Sequence, residues 1–166
     1  MNESSTESII LDAADRRLLA LLQQDCGVTN QALADKALLS PATCLRRVRR
    51  LVELGVIERQ VALLSPDAMA RITGAGLTAI LEVTLDRQDA VALEAFEARV
   101  APEPAVQQCY RVTAGPDFVV IVHVPDMPAY HAFVQRVLTA QVNVRNVRAF
   151  FSVKRSKFDP ALPLGD

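Results

Sequence analysis

Apolar residues recur at helical intervals through the first third of the chain and switch to alternation near residue 76. Asp12 and Asp15 open the first predicted helix, where acids suit the positive end of the helix dipole. It runs through Leu18, Leu19, Leu21 and Leu22 and stops at Asp25-Cys26-Gly27. Thr29 caps a second helix that carries Leu33, Ala34 and Ala37 on one face. Ser40-Pro41 starts a third, which Gly55 ends. Serine caps free amide groups there, and proline gives up a donor that has no partner at the first helical position. Three short helices with two tight connections make one small core. The β-prone run 56–64 predicts a small wing before Ser65-Pro66 breaks it.

Further on, Leu77, Ala79, Leu81, Val83 and Leu85 alternate with Thr78, Ile80, Glu82 and Thr84, predicting a strand buried mainly on one side. A helix over 90–100 follows, stopped by Pro102 and Pro104, then a strand over 106–113. After the turn Ala114-Gly115-Pro116, residues 117–124 form the most hydrophobic strand, expected to be central. Pro125 ends it, a helix runs from Met127 to Leu138, and 144–153 supplies a last strand. Strand, helix, strand, strand, helix, strand is the ferredoxin-like order. The expected class is therefore α/β (α+β), with a flexible start at 1–10, a winged helix-turn-helix at 11–65, a linker at 66–76, a ferredoxin-like domain at 77–157 and a tail at 158–166.

The third helix carries most of the functional signal. At about 100° per residue, Cys44, Leu45, Val48, Leu51 and Val52 share one arc of roughly 120°, predicting a buried stripe. Thr43, Arg46 and Arg50 lie nearest the centre of the opposite face, with Ala42, Arg47 and Arg49 beside them. Residues 40–59 hold five arginines against two glutamates, a local excess of three positive charges on a chain of net charge −1. A basic stripe on a near-neutral body suits directed binding to double-stranded DNA, in which phosphates supply affinity and a few side chains supply selectivity. Ser40, Thr43, Arg46 and Arg47 are expected near base edges or adjacent phosphates, and Arg49 and Arg50 on phosphates. Arg47, at the edge of the buried arc, has a structural contact within the head as its other reading. One stripe is weak, so a homo-oligomer reading two half-sites is expected.

Composition narrows the rest. No apolar run approaches the ~20 residues that cross a bilayer, and the acidic start lacks the basic region of a signal peptide, so the expectation is a cytoplasmic protein with no membrane partner. Cys26, Cys44 and Cys109 are odd in number and widely spaced, which reads as reduced thiols and not as a metal site. His123 and His131 stand without a Gly-rich phosphate loop or a paired-histidine motif, which leaves a small ferredoxin-like enzyme as the remote alternative. An architectural DNA-binding protein with no effector is the nearer one.

Several separated motifs resemble the Lrp/AsnC, or feast/famine, family of bacterial transcription regulators, along nearly all of the chain from Leu11 to Leu164. They are Leu11-Asp12 with Asp15-Arg16; Leu39-Ser40-Pro41 with Cys44-Leu45, Arg47-Val48-Arg49-Arg50-Leu51 and Gly55 with Ile57; and Ala62-Leu63-Leu64 with Pro66. Beyond them come Val106 with Cys109-Tyr110, Val112-Thr113, Asp117-Phe118, Val124-Pro125-Asp126-Met127 with Tyr130, Lys157 and Leu162-Pro163-Leu164. The resemblance implies a DNA-binding winged helix-turn-helix and a C-terminal domain that dimerises through its sheet. It also implies dimers assembling to a tetramer or octamer, no cofactor, an amino-acid effector between dimers, and control of amino-acid metabolism genes. The family's effector loop, Thr or Ser-Gly-x-x-Asp, falls on Thr113, Ala114, Gly115, Pro116 and Asp117, and its last-strand Thr-x-Thr on Val147, Arg148 and Ala149.

Two departures have chemical content. Asp117 remains for an ammonium, but Val147 and Ala149 lack hydroxyls and Pro116 removes an amide donor. Either the effector is more apolar or the response is reduced, or Gly115 compensates by a one-residue shift of the loop. Leu38 stands where the family places a turn glycine, so the turn either adopts another geometry or holds a non-glycine residue at positive φ.

Overall fold

The computed structural model describes residues 10–74, 76–140 and 143–164, which form two compact units. The first takes in the described residues up to 63 together with 158–164, and the second those among 64–157.

In the first unit, α1 (Ala13–Gln24), α2 (Asn30–Ala37) and α3 (Pro41–Glu53) start where their caps predict. Asp12 and Asp15 form a reciprocal capping box at α1, Thr29 accepts the Ala32 amide at α2, and Ser40 accepts the Thr43 amide at α3. Leu18, Leu33, Ala34, Ala37 and Cys44 make the core, with Leu21, Leu22, Val28, Leu39 and Val48 packed around it. The small residues Ala34, Ala37 and Cys44 are fully buried and let the helices approach closely. Leu38 adopts the left-handed conformation (φ 58°, ψ 45°), so the turn keeps the glycine geometry at a steric cost of about 1 kcal/mol. Its compensation is local, since Leu39 N–H donates to Ala34 O at 2.9 Å and closes the end of α2.

Three expectations for this unit are corrected. Leu45 and Val52 are 40% and 49% exposed, not buried, because the core-facing stripe narrows to Cys44, Val48 and Leu51. Residues 56–64 form no strand, since a β-prone run needs a partner strand and none of the described residues offers one. Residues 158–164, read as a tail, pack with the first unit. Gln23 Nε2 donates to Leu162 O at 3.1 Å and Leu162 N–H donates back to Gln23 Oε1 at 2.6 Å, while Arg16 donates to Leu164 O at 3.3 Å.

The second unit opens with α4 (Pro66–Thr73), capped by Ser65 within the stretch read as a linker. β1 (Leu77–Leu85), α5 (Ala90–Val100), β2 (Val106–Arg111), β3 (Phe118–Val124), α6 (Met127–Phe133) and β4 (Val144–Phe151) follow in the expected ferredoxin-like order. α6 runs into a π-helical segment, Val134–Thr139, whose wider turn accompanies burial of the adjacent Val137 and Leu138. The sheet is antiparallel, ordered β2-β3-β1-β4, so β1 and β3 are central. Ala79, Leu81, Val83 and Leu85 of β1 and Phe118, Val120, Val122 and Val124 of β3 join Phe96, Val100, Tyr130 and Phe133 in one core on the helix side. Ile80, Val119 and Ile121, by alternation, line the other side.

Candidate nucleic-acid interface and effector cleft

α3 is anchored at both ends. Asn30 Nδ2 donates to Pro41 O at 3.0 Å, and the Val56 and Ile57 amides both reach Leu51 O, at 2.9 and 3.1 Å, after Gly55 turns the chain at φ 70°. Ser40 Oγ accepts the Thr43 amide at 3.3 Å and donates to Thr43 Oγ1 at 2.9 Å, so the hydroxyls at the helix start serve the cap first.

The arginines of α3 divide into two classes. Arg47 Nη1 lies 2.7 Å from Asp12 Oδ2 and 2.8 Å from Asp15 Oδ1, and Arg50 Nη1 lies 3.4 Å from Asp15 Oδ2. Asp15 is 2% exposed, a charge taken out of water and satisfied by cations 32 and 35 residues away. The Asp15 amide, and then Arg47, hold the Asp12 carboxyl below its ordinary 3.8. Asp15 and then Asp12 hold Arg47 more firmly protonated. Removing one partner of a buried ion pair costs about 3–5 kcal/mol, so this clamp fixes α3 against α1. Arg46 and Arg49, by contrast, are exposed and form no ion pair among the described residues. The acids that neutralise part of the stripe stand at the start of α1, Asp12 as its cap and Asp15 in its first turn.

In the second unit, the loop between β2 and β3 exposes Thr113, Ala114 and Gly115, and its left-handed position is Gly115 (φ 87°). Asp117 is stitched into the sheet. Its N–H donates to Val83 O at 2.9 Å, its O accepts the Val112 amide at 3.0 Å, and its Oδ2 accepts the Leu85 amide at 2.7 Å, beside the β-bulge between Thr84 and Leu85. Val147 pairs with Val83 and Ala149 with Leu81, which puts both on the helix side of β4. The register therefore brings Asp117 and Val147 to the same end of β1, on opposite flanks, and leaves Ala149 two residues further in.

At that end lies a cavity of about 500 Å³ walled by Leu85, Val91, Ala92, Ala95, Phe96 and Val144, with Asp86, Arg87 and Asn143 at its edge. Asn143 exchanges hydrogen bonds with the Arg87 backbone, at 2.8 and 3.2 Å, closing that edge. None of these residues was singled out as a candidate site residue from the sequence. The available signal was α5 itself, where Ala90, Val91, Ala92, Leu93 and Ala95 make more than one face apolar.

Residues 78–162 match the family model described as the Lrp/AsnC ligand binding domain, and residues 11–58 one described as winged helix-turn-helix DNA-binding. The chain belongs to the Lrp/AsnC family of transcriptional regulators. Among its Lrp/AsnC relatives, the leucine-responsive regulatory protein of Rhizobium meliloti is 37% identical over 89% of this chain and 92% of that one. The transcriptional activator DecR of Escherichia coli K12 is 33% identical over 93% and 99%. A transcriptional regulator from Neisseria meningitidis solved in complex with L-Met superposes with a TM-score of 0.81 at 33% identity, covering 93% of this chain and 97% of that one.

Away from α3 and the cavity, His123 Nδ1 lies 3.0 Å from Thr78 Oγ1 on the open side of the sheet, and the His131 ring stands 5.7 Å from that of Tyr130. Cys26, Cys44 and Cys109 are free thiols, and burial raises the pKa of Cys44 and Cys109, with Glu97 adding to the second. Among the described residues no cluster of His, Cys, Asp and Glu suits a metal ion, and no helix is long and apolar enough to cross a membrane. The open side of the sheet shows Ile80, Tyr110 and Phe150 at 37%, 53% and 44% exposure, with Arg148 paired to Glu82 at 3.1 Å and 5.3 Å from the Phe150 ring centre.

Proposed function

We propose that this regulator binds double-stranded DNA with α3 in the major groove, Arg46 and Arg49 supplying the charge that meets phosphates and adjacent base edges. The division of the α3 arginines carries this reading: Asp12 and Asp15 neutralise one side and leave the other cationic. Ser40 and Thr43 act by holding the start of the helix, and Arg50, at 3.4 Å from Asp15 and half exposed, is the cation that exchanges that partner for a phosphate. The exposed apolar side chains on the open side of the sheet support pairing of two copies there, which gives DNA binding two half-sites. Further assembly to a tetramer or octamer, a cytoplasmic location and genes of amino-acid metabolism complete the reading by family.

The effector is an amino acid or related small molecule with an apolar side chain. The Neisseria relative's L-Met complex and the leucine-responsive name of the Rhizobium relative agree in chemistry with an apolar cavity beside the Asp117 loop. Asp117 keeps one carboxylate oxygen for an ammonium after accepting the Leu85 amide, and Gly115 supplies the left-handed loop position in place of Ala114. Val147 and Ala149 offer no hydrogen bond to a carboxylate, which places the binding energy in the apolar contacts. An effector shifts DNA binding only by its differential affinity for the assembly states.

Titration of the wild type and an Arg46→Ala/Arg49→Ala variant against DNA upstream of its own gene and a random duplex, with and without L-methionine or L-leucine, tests both halves. Preference for the upstream duplex, lost in the variant and altered by either amino acid, is expected. Equal, steeply salt-dependent affinity for both duplexes would replace this reading with the architectural one.

A further inference from the structure

The face that α3 turns to solvent differs from the one its arginines alone would mark. Cys44 and Leu51 are fully buried, Val48 packs beside them, and Arg47 and Arg50 lean toward Asp15. At about 100° per residue, the direction opposite that buried and clamped side is shared by Ala42, Leu45, Arg46 and Arg49 in the first three turns and by Glu53 at the end of the helix. Leu45 is 40% exposed and lies outside the head's core, and Ala42, one turn before it on the same face, is exposed as well. The helix thus presents an apolar pair, spaced i and i+3, flanked by two cations that form no ion pair among the described residues.

The cations suit an anionic partner, and the apolar pair suits something apolar within it. Duplex DNA meets both conditions in its major groove, where thymine carries the one apolar group on any base edge, the 5-methyl. The first two turns of the third helix are also the part of a helix-turn-helix that approaches base edges. Resting on the DNA-binding reading above, the geometry points to Ala42 and Leu45 as specificity residues that pack on thymine methyl groups while Arg46 and Arg49 hold the flanking backbone. The sites this regulator prefers then carry thymine opposite Leu45, with a dependence on the methyl group itself that hydrogen-bonding side chains do not supply.

The probe is a duplex enriched by the wild type from a randomised library, prepared again with deoxyuridine in place of thymidine, which removes only the methyl groups. The wild type is expected to bind the deoxyuridine duplex about fourfold more weakly for each methyl contacted. Leu45→Ala is expected to lose the part of that preference that Leu45 carries and to keep only Ala42's, with an unchanged melting temperature because the side chain lies outside the head's core. Equal wild-type binding to the two duplexes overturns this inference alone, as does a thymidine preference that persists undiminished in Leu45→Ala. Failure of the wild type to enrich any duplex overturns the DNA-reading assignment along with it, and points to a protein partner for this face.

Discussion

The helical head and the sheet unit handle their polar groups in opposite ways. The head buries a carboxylate, Asp15, and spends Arg47 and part of Arg50 on neutralising it, so charge on α3 is partly architecture. The sheet unit ties Asp117 to the Leu85 amide, lines the nearby cavity with Val144 and sets Val147 and Ala149 on the same strand, so its candidate cleft has apolar walls and a polar edge at Asp86, Arg87 and Asn143. A run of like residues therefore does not mark a run of like roles. In the head, distant partners decide which arginines remain for a ligand; in the sheet, strand register decides which side chains reach the cleft.

The largest effect expected from breaking this comparison is at Asp15. Asp15→Ala leaves Arg47 without its buried partner and is expected to destabilise the head by about 3 kcal/mol, read from urea unfolding followed by far-UV circular dichroism. A loss below ~1 kcal/mol would show that the clamp is peripheral. In the sheet unit, restoring both hydroxyls with Val147→Thr/Ala149→Thr is expected to tighten amino-acid binding by about 1–3 kcal/mol, measured by calorimetry with L-methionine. Unchanged or weaker binding would separate β4 from the effector site. Leu38→Gly relieves the left-handed backbone and is expected to stabilise the head by up to about 1 kcal/mol, seen as a higher urea midpoint. A lower midpoint would mean that the exposed Leu38 side chain has a packing role.

The smallest effect concerns acid. The Asp12 carboxyl is depressed in the folded state, so its contribution is fully present above the ordinary value of 3.8 and is lost as pH falls below that value through the folded one. Asp12→Asn should flatten that part of the acid-unfolding profile and lower stability at neutral pH by the same contribution. A profile that superposes on the wild type's would assign the acid sensitivity elsewhere.

Most of the fold was legible because its signals are local. Asp12, Thr29, Ser40-Pro41 and Gly55 set helix ends within a few residues of themselves, and the alternation of Leu77 through Leu85 is visible without any partner. What escaped depends on residues far apart in the chain. Asp15 meets Arg47 across 32 positions, and Gln23 meets Leu162 across 139. The same reason explains the displaced face of α3. A helical wheel weighs hydrophobicity alone, so it centred the outward face on Thr43, Arg46 and Arg50, whereas attraction to Asp15 draws Arg47 and Arg50 inward and leaves Leu45 outside. The 56–64 run shows the converse, a local β preference with no strand to pair against.

The division of labour along α3 is tested most directly by the salt dependence of DNA binding in Arg49→Ala and Arg47→Ala, each paired with a melting curve. Arg49→Ala is expected to reduce the slope of log K against log salt by about 0.9 per chain with the melting temperature unchanged. Arg47→Ala is expected to keep the wild-type slope and melt earlier. An Arg47→Ala protein that melts like the wild type but loses slope would contradict the account, because it would place Arg47 on a phosphate and leave Asp15 without its structural partner.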